Sequence, residues 1–140
     1  MKKIVLCFCL FLVGCSNKET TTICAFTQEN VKIVNTIVAQ DDKVIKQTLE
    51  NEIHYKNLEL TKEDVVELAN EYVESYDLEG LNYSFEVNEE HLLETITVDY
   101  SIVDIQELMN IGFIESVEDA KYISLRETLT TLKDTGFICE

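Results

Sequence analysis

Between residues 81 and 102 the chain alternates twice between apolar and polar side chains. Leu81, Tyr83, Phe85 and Val87 interleave with Asn82, Ser84, Glu86 and Asn88, and Ile96, Val98, Tyr100 and Ile102 interleave with Thr95, Thr97, Asp99 and Ser101. A period of two sends successive side chains to opposite faces of a strand, so each segment has one face that must be covered and one that stays wet. The stretch NEEH, from Asn88 to His91, is the expected turn between them. Upstream, Ile45, Leu49, Ile53 and Tyr55 share a parity opposite to Lys46, Thr48, Glu50, Glu52 and His54, which reads as a third strand with one wet face. VKIVNTIVAQ before it is β-branched enough for a strand, although both of its faces are apolar and its inner side is not fixed. Asp41 and Asp42 tolerate turn geometry and join the two as a short hairpin. TTICAFTQ, residues 21–28, is the expected first strand.

The period then changes. From Thr61 to Leu78 the residues Val65, Leu68, Ala69, Tyr72, Val73 and Tyr76 fall on one helical stripe, with Thr61 as N-cap and Glu63 and Asp64 in the first turn, where the helix dipole favours acids. Ser116 opens a second helix in the same manner, and Tyr122, Leu125, Leu129 and Leu132 recur at three-four spacing before Gly136 stops it. A shorter helical turn is expected over 104–110. Half-wet strands and two amphipathic helices specify an α+β fold: a two-layer sandwich of about five mainly antiparallel strands, with two main helices packed on one face.

The start of the chain has a different character. Lys2 and Lys3 precede ten apolar residues, Ile4 to Val13, in the layout of a secretory leader. As a helix this run would rise only about 15 Å, roughly half of a bilayer's hydrocarbon thickness, too short for an ordinary span. It ends on Leu12, Val13, Gly14, Cys15, a sequence that resembles the bacterial lipobox, in which a lipidated cysteine becomes the first mature residue. The competing reading makes Cys15 one more thiol of an apolar segment, like Cys7 and Cys9. The lipobox is preferred because leader, small residue, cysteine and a following polar run coincide. The expected organisation is therefore a lipoprotein signal peptide over 1–14, a flexible tether over 15–22 and one α+β domain over 23–140. Acylated at Cys15, with palmitate-type chains, the protein would be held on the extracytoplasmic face of the cell membrane.

Charge excludes some partners. The whole chain carries a formal net charge of −16, and loss of the leader removes two lysines and no acid. Such a chain repels nucleic acid and anionic head groups, so the expected membrane contact is through the N-terminal lipid rather than a basic patch. The hydrophobic fraction of 46% nevertheless suffices for a packed core, so acidity does not imply disorder.

Motifs for chemistry are missing. The mature chain has no GxSxG, no glycine-rich phosphate loop, no HExxH and no CxxC. No catalytic residue, cofactor or metal is assigned, and an enzyme is disfavoured. NEEH offers carboxylates and an imidazole to a metal, but a solvated turn accounts for it more simply. His54 reads as a surface histidine. Glu63, Glu67, Asn70, Glu71 and Glu74 line the polar side of the first helix, a pattern for a cationic partner or weak Ca²⁺, although one convex helix face lacks the converging oxygens of a cation site and is better read as solvated. Three roles remain: a surface-tethered binding or interaction module, preferred; a structural envelope protein; or an enzyme with an unfamiliar site built on Tyr and carboxylate side chains.

The order of the lipobox, DDKV at a hairpin, TKEDV opening a helix, VDYSIVDIQEL running out of a strand, SVEDAK opening the last helix and a terminal GF resembles the YehR family of bacterial lipoproteins. The resemblance covers the chain from about residue 24 onward and departs from the family at Asp41, where the family has glycine. It implies the fold and an envelope location, and no functional residue. Beyond Cys15, the cysteines left after the leader are Cys24 and Cys139. Outside the cytoplasm they are expected to form a disulfide that ties the first strand to the C-terminus; the alternative is a packed Cys24 and a free Cys139.

The anchor is checked directly by Cys15→Ser. The wild type is expected in the detergent phase on phase separation, and the variant is expected either in the aqueous phase or as uncleaved precursor; unchanged partition and mobility would exclude the lipobox.

Overall fold

The β2–β3 hairpin is the spine of the fold. In a computed structural model, which describes residues 18–115 and 120–140, β2 (Val31–Gln40) and β3 (Lys43–Ile53) pair over their full length across the two-residue turn Asp41–Asp42. Asp41 adopts a left-handed φ of 53°, a conformation Asp reaches at small cost, so the departure from glycine at this position is accommodated. One extra residue then enters β3: Ala39 faces Val44 whereas Val38 faces Lys46. This bulge inverts the parity of the strand, so Val44 is fully buried and Ile45, expected inside, is only half-buried.

The remaining strands are β1 (Glu19–Gln28), β4 (Leu81–Val87), β5 (Leu92–Asp99) and β6 (Ile138–Cys139), all antiparallel in one open sheet of order β4-β5-β3-β2-β1-β6. β1 begins at Glu19, two residues before the expected strand start, so Glu19 and Thr20, expected in the tether, pair with Gln40 and Ala39 instead. On β2 the ambiguity is resolved in favour of the odd residues: Asn35, Ile37 and Ala39 are buried. β5 ends at Asp99, whose carboxylate accepts the Ser101 amide at 3.0 Å and turns the chain, leaving Ile102 exposed rather than on a strand. Gly80 sits against that turn at φ 86°, where a Cβ would meet the Val103 nitrogen at 2.7 Å. Tyr55, expected on β3, is instead buried in a 3₁₀ turn, Tyr55–Leu58, and its hydroxyl donates to the Asn88 carbonyl.

Helix α1 spans Lys62–Ser75. Its cap is reciprocal: the Asp64 amide donates to Thr61 Oγ1 at 3.2 Å and the Thr61 amide to the Asp64 carboxylate at 2.9 Å. The Thr61 hydroxyl, donating to that carboxylate at 2.7 Å, and then the Thr61 amide hold the Asp64 carboxyl below its usual range. Val65 and Ala69 are buried, whereas Leu68, Tyr72 and Val73 of the expected apolar stripe are exposed. Helix α2 (Ile105–Asn110), capped by Asp104, fulfils the expected short turn and buries Leu108.

Helix α3 (Leu125–Asp134) starts later than expected. Ser116 and residues 117–119 lie outside the described residues, and Tyr122 precedes the helix with its side chain exposed. The reason is the hairpin turn. The Asp42 carboxylate accepts the Arg126 amide at 2.9 Å and the Ser124 hydroxyl at 2.8 Å, the Leu125 amide donates to the Asp42 carbonyl at 2.7 Å, and the Val44 amide donates to the Ile123 carbonyl at 2.9 Å. Those bonds keep residues 123–124 extended, so helix begins only at the Ser124 cap. The hydrogen bonds from the Arg126 amide and Ser124 hydroxyl hold the Asp42 carboxyl below its ordinary range.

Both long helices cover one face of the sheet. Leu125, Leu129 and Leu132 pack over a core that includes Ile37, Val44, Val98 and Leu108, and Val65 packs with Tyr55 and Leu92 in a second cluster. The sixth strand, absent from the sequence expectation, closes the edge: Ile23 and Glu140 exchange backbone hydrogen bonds of 3.0 and 2.9 Å, which places Cys24 opposite Cys139 in a non-hydrogen-bonded pair with Cα atoms 4.0 Å apart. They form the expected disulfide, closing a sequence separation of 115 residues. Phe137 packs against Phe26 beside it in a tilted arrangement, ring centroids 5.3 Å apart.

The register predicts opposite outcomes at adjacent positions. Val98→Asp would bury an unpaired carboxylate, a cost of several kcal/mol against a total stability of about 5–15 kcal/mol, and is expected to unfold the domain. Thr97→Asp, on the opposite face, is expected to leave the thermal midpoint within a few degrees of wild type.

Candidate functional site

Extending the β5 alternation backward from Val98 and Ile96 reaches Glu94, so a carboxylate stands in the row that faces the helices. It is 9% exposed. Directly opposite in the β3–β5 register is Asn51, between Leu49 and Ile53 on the inner side of β3. Asn51 Nδ2 donates to Glu94 Oε2 at 3.3 Å, and the Tyr83 hydroxyl, reaching diagonally from β4, donates to Glu94 Oε1.

Above this trio lies α1. Because the helix meets the sheet through Val65 and Ala69 while Leu68 and Tyr72 stand off, a cleft of about 280 Å³ opens between helix and sheet. Tyr72, Tyr76 and Tyr83 form its wall, Leu68 and Tyr72 its rim, and Asn51 and Glu94 its floor. The three rings are mutually close: centroids are 5.6 Å apart for Tyr72 and Tyr76, 6.0 Å for Tyr72 and Tyr83, and 5.8 Å for Tyr76 and Tyr83. Phe113 packs edge-on against Tyr76 at 5.5 Å.

Burial sets the protonation of these phenols. The Tyr83 hydroxyl is pushed far above its ordinary value by desolvation, then by its bond to Glu94 and the charge of that carboxylate. Tyr76 is raised by burial and by the neighbouring Tyr72 and Glu94. Tyr83 is therefore a hydrogen-bond donor at any physiological pH. A second polar chain crosses the same sheet face: Tyr100 donates to Gln47 Oε1 at 2.8 Å, and Gln47 Nε2 donates to Asn35 Oδ1 at 3.1 Å. Burial pushes the Tyr100 phenol up to about 12.

The residues singled out from sequence lie elsewhere. In NEEH, Asn88 Oδ1 accepts the Glu90 and His91 amides at 3.0 and 2.9 Å and makes the turn, while Glu89 pairs with Lys62 at 3.0 Å. That pair lowers the Glu89 carboxyl and raises the Lys62 ammonium from their ordinary values. His54, just after β3, contacts Glu52 at 3.2 Å, and its ring lies 5.3 Å from that of His91. Among the described residues no three His, Cys, Asp or Glu side chains converge as metal ligands. Glu63, Glu67, Asn70, Glu71 and Glu74 line a broad open surface to which α1 alone contributes. Cys24 and Cys139 meet at the far edge of the sheet, and Cys15 lies outside the described residues. Sequence reasoning missed Asn51 and Glu94; the available signal was a charged residue in phase with Ile96 and Val98.

Comparison with known proteins bears on what carries this cleft. Residues 19–138 match the profile of a family described as protein of unknown function, DUF1307. The uncharacterized lipoprotein Lin0239 of Listeria innocua is 32% identical over 136 residues, covering 95% of this chain and 89% of that protein. The uncharacterized lipoprotein YehR of Escherichia coli is 29% identical over 130 residues, covering 90% and 85%. The NMR structure of E. coli YehR superposes with a TM-score of 0.74 at 27% identity over 89% of this chain and 92% of that one. An NMR structure of a protein from Streptococcus pneumoniae TIGR4 shares the fold alone, with a TM-score of 0.60 and 12% identity across 100% and 97% of the two chains. The resemblance to YehR and the α+β fold read from the sequence are both shown by these matches.

The raised phenols set an alkaline limit. The folded state favours neutral Tyr100, so its contribution is intact below pH 10.0, the ordinary tyrosine value, and is lost as pH rises toward about 12, because the unfolded chain ionises first. Chemical denaturation followed from pH 9 upward is expected to show stability falling with pH, and Tyr100→Phe to flatten that fall; an unchanged slope would remove the assignment.

Proposed function

Since this chain belongs to the DUF1307 family, whose relatives above carry the name lipoprotein, we propose that it is a lipid-anchored binding module that holds a small ligand in the tyrosine-lined cleft. The observation that carries the reading is the cleft floor. Asn51 Oδ1 is buried without a hydrogen-bond partner, beside a carboxylate that could accept more hydrogen bonds than it receives. Buried polar groups left unpaired cost about 1–3 kcal/mol each, and a ligand that pairs with them removes that cost. An apolar wall with a few convergent polar groups is the usual make-up of a small-molecule site.

The anchor in this reading is Cys15, acylated after removal of residues 1–14, with residues 15–18 spacing the domain from the bilayer. The extracytoplasmic face is supported by the Cys24–Cys139 disulfide, a bond that persists where the surroundings are oxidising. Binding is preferred to catalysis because Tyr83, the phenol in contact with the buried carboxylate, is held protonated and is a poor base.

The test is co-purification. Full-length protein is extracted from membranes and washed, and small molecules released by denaturation are compared by mass spectrometry between wild type and Leu68→Trp, which narrows the mouth of the cleft at an exposed position. A species enriched with wild type and lost from a variant of unchanged circular dichroism is the expected result. Equal recovery from both would overturn the reading.

A further inference from the structure

The cleft holds a charge that no other side chain among the described residues answers. Among the described residues the ion pairs are His54 with Glu52 and Lys62 with Glu89, and Glu94 has none. Its two oxygens take one hydrogen bond each, from Tyr83 and from Asn51, so each keeps an unused lone-pair direction. The Asn51 amide is oriented by this network: turned over, it would set its oxygen against the carboxylate, so the unpaired buried atom is an acceptor. The Tyr83 hydroxyl keeps its proton and already donates its one hydrogen bond to Glu94. The floor therefore offers mainly acceptors, one of them charged, against a single remaining donor, the second hydrogen of Asn51 Nδ2.

The wall has the matching electrostatics. Aromatic ring faces carry negative potential and attract cations within about 6 Å of the centroid. Tyr72, Tyr76 and Tyr83 bring three rings together beside Glu94, and Leu68 and Ala69 add an apolar strip along α1. The high net negative charge of the chain raises the local concentration of any cation.

We propose that the cleft binds a small organic ammonium ion bearing at least one N–H, with the ammonium on Glu94 and Asn51 Oδ1 and a short apolar group against Leu68 and the tyrosine rings. This rests on the binding role argued above and names the ligand's chemical class. An N–H is required because Asn51 Oδ1 needs a donor, which a quaternary ammonium cannot supply. A carboxylate ligand would meet Glu94 as a like charge, and a neutral alcohol would leave the buried charge unanswered. A volume of about 280 Å³ lies at the lower edge of drug-sized sites, so the ligand is smaller than those.

Butylamine, tetramethylammonium, 1-butanol and butyrate are similar in size and separate these demands. With full-length protein in nanodiscs, saturation-transfer NMR is expected to give butylamine a Kd on the order of 1 mM, tetramethylammonium a weaker one, and the other two no saturable signal. Glu94→Gln keeps shape and hydrogen bonding to Tyr83 and is expected to weaken butylamine at least about tenfold, with butylamine also excluded by Leu68→Trp. Saturable binding of 1-butanol or butyrate as tight as butylamine, blocked by Leu68→Trp, would overturn the ammonium assignment while leaving the cleft a binding site. Butylamine binding that neither variant alters would overturn it too, as would absence of binding by all four probes. In that last case the co-purification experiment decides separately whether the cleft holds anything at all.

Discussion

The β3–β5 pairing is the joint on which this structure depends. The meander of β1, β2 and β3 is local, and so is the β4–β5 hairpin; each forms from contacts between neighbours in sequence. Only the alignment of Lys46–Ile53 with Asp99–Leu92 unites them into one sheet. Because α1 and the β4 strand lie between the two halves in sequence, that register closes a long loop and must be specified by more than proximity. Side-chain parity supplies the specification. A slip by one residue would turn Ile96 and Val98 outward and bring Thr95 and Thr97 under the helices, which costs the apolar burial that holds α1 and α3 in place.

The same register makes the cleft unavoidable. With Ile53 opposite Leu92 and Leu49 opposite Ile96, the pair between them is Asn51 and Glu94, and both must point toward α1. A carboxylate there is tolerated because Tyr83 and Asn51 each give it a hydrogen bond and because the helix does not seal the space above it. Leu68 and Tyr72 remain exposed for that reason: closing α1 onto the sheet would desolvate Glu94 completely. The exposed half of the helix stripe and the buried charge are two sides of one arrangement.

How much of this was legible in the sequence follows from which signals are local. Period-two patterns located β3, β4 and β5, β-branched content located β2, and the period of 3.6 with the Thr61 cap located α1, because caps and pleats act between near neighbours. The displaced start of α3 was hidden, since Ser124 and Arg126 take their partner from Asp42, more than eighty positions away, a separation of 82 for the Ser124 bond. The bulge that exchanges Ile45 for Val44 was hidden too, as a one-residue insertion leaves no mark in composition. β6 is two residues long and is defined by its disulfide and by Ile23, with no periodicity to read. Cys24 and Cys139 were legible only through compartment and count. The floor of the cleft needed the register: Glu94 lies between the expected turn at Asn88–His91 and the alternation that begins at Thr95, and only the pairing with β3 sets Asn51 opposite it.

Stability alone gives no reason for that floor. Leucine at position 94 would continue the apolar row of Leu92, Ile96 and Val98, and replacing a buried ionic group by a well-packed apolar one is often neutral or stabilising. The Asn35–Gln47–Tyr100 chain on the same sheet face shows the contrast, because there the side-chain groups are matched, donor to acceptor, from end to end. Around Glu94 the matching stops short: among the described residues an amide oxygen is left over and the carboxylate has no counter-charge. Unsatisfied groups of this kind are rare in folded interiors and concentrate where something else completes them. Their position under the one part of α1 that stands away from the sheet, ringed by three tyrosines, is where an external cation has both a path in and a reason to stay.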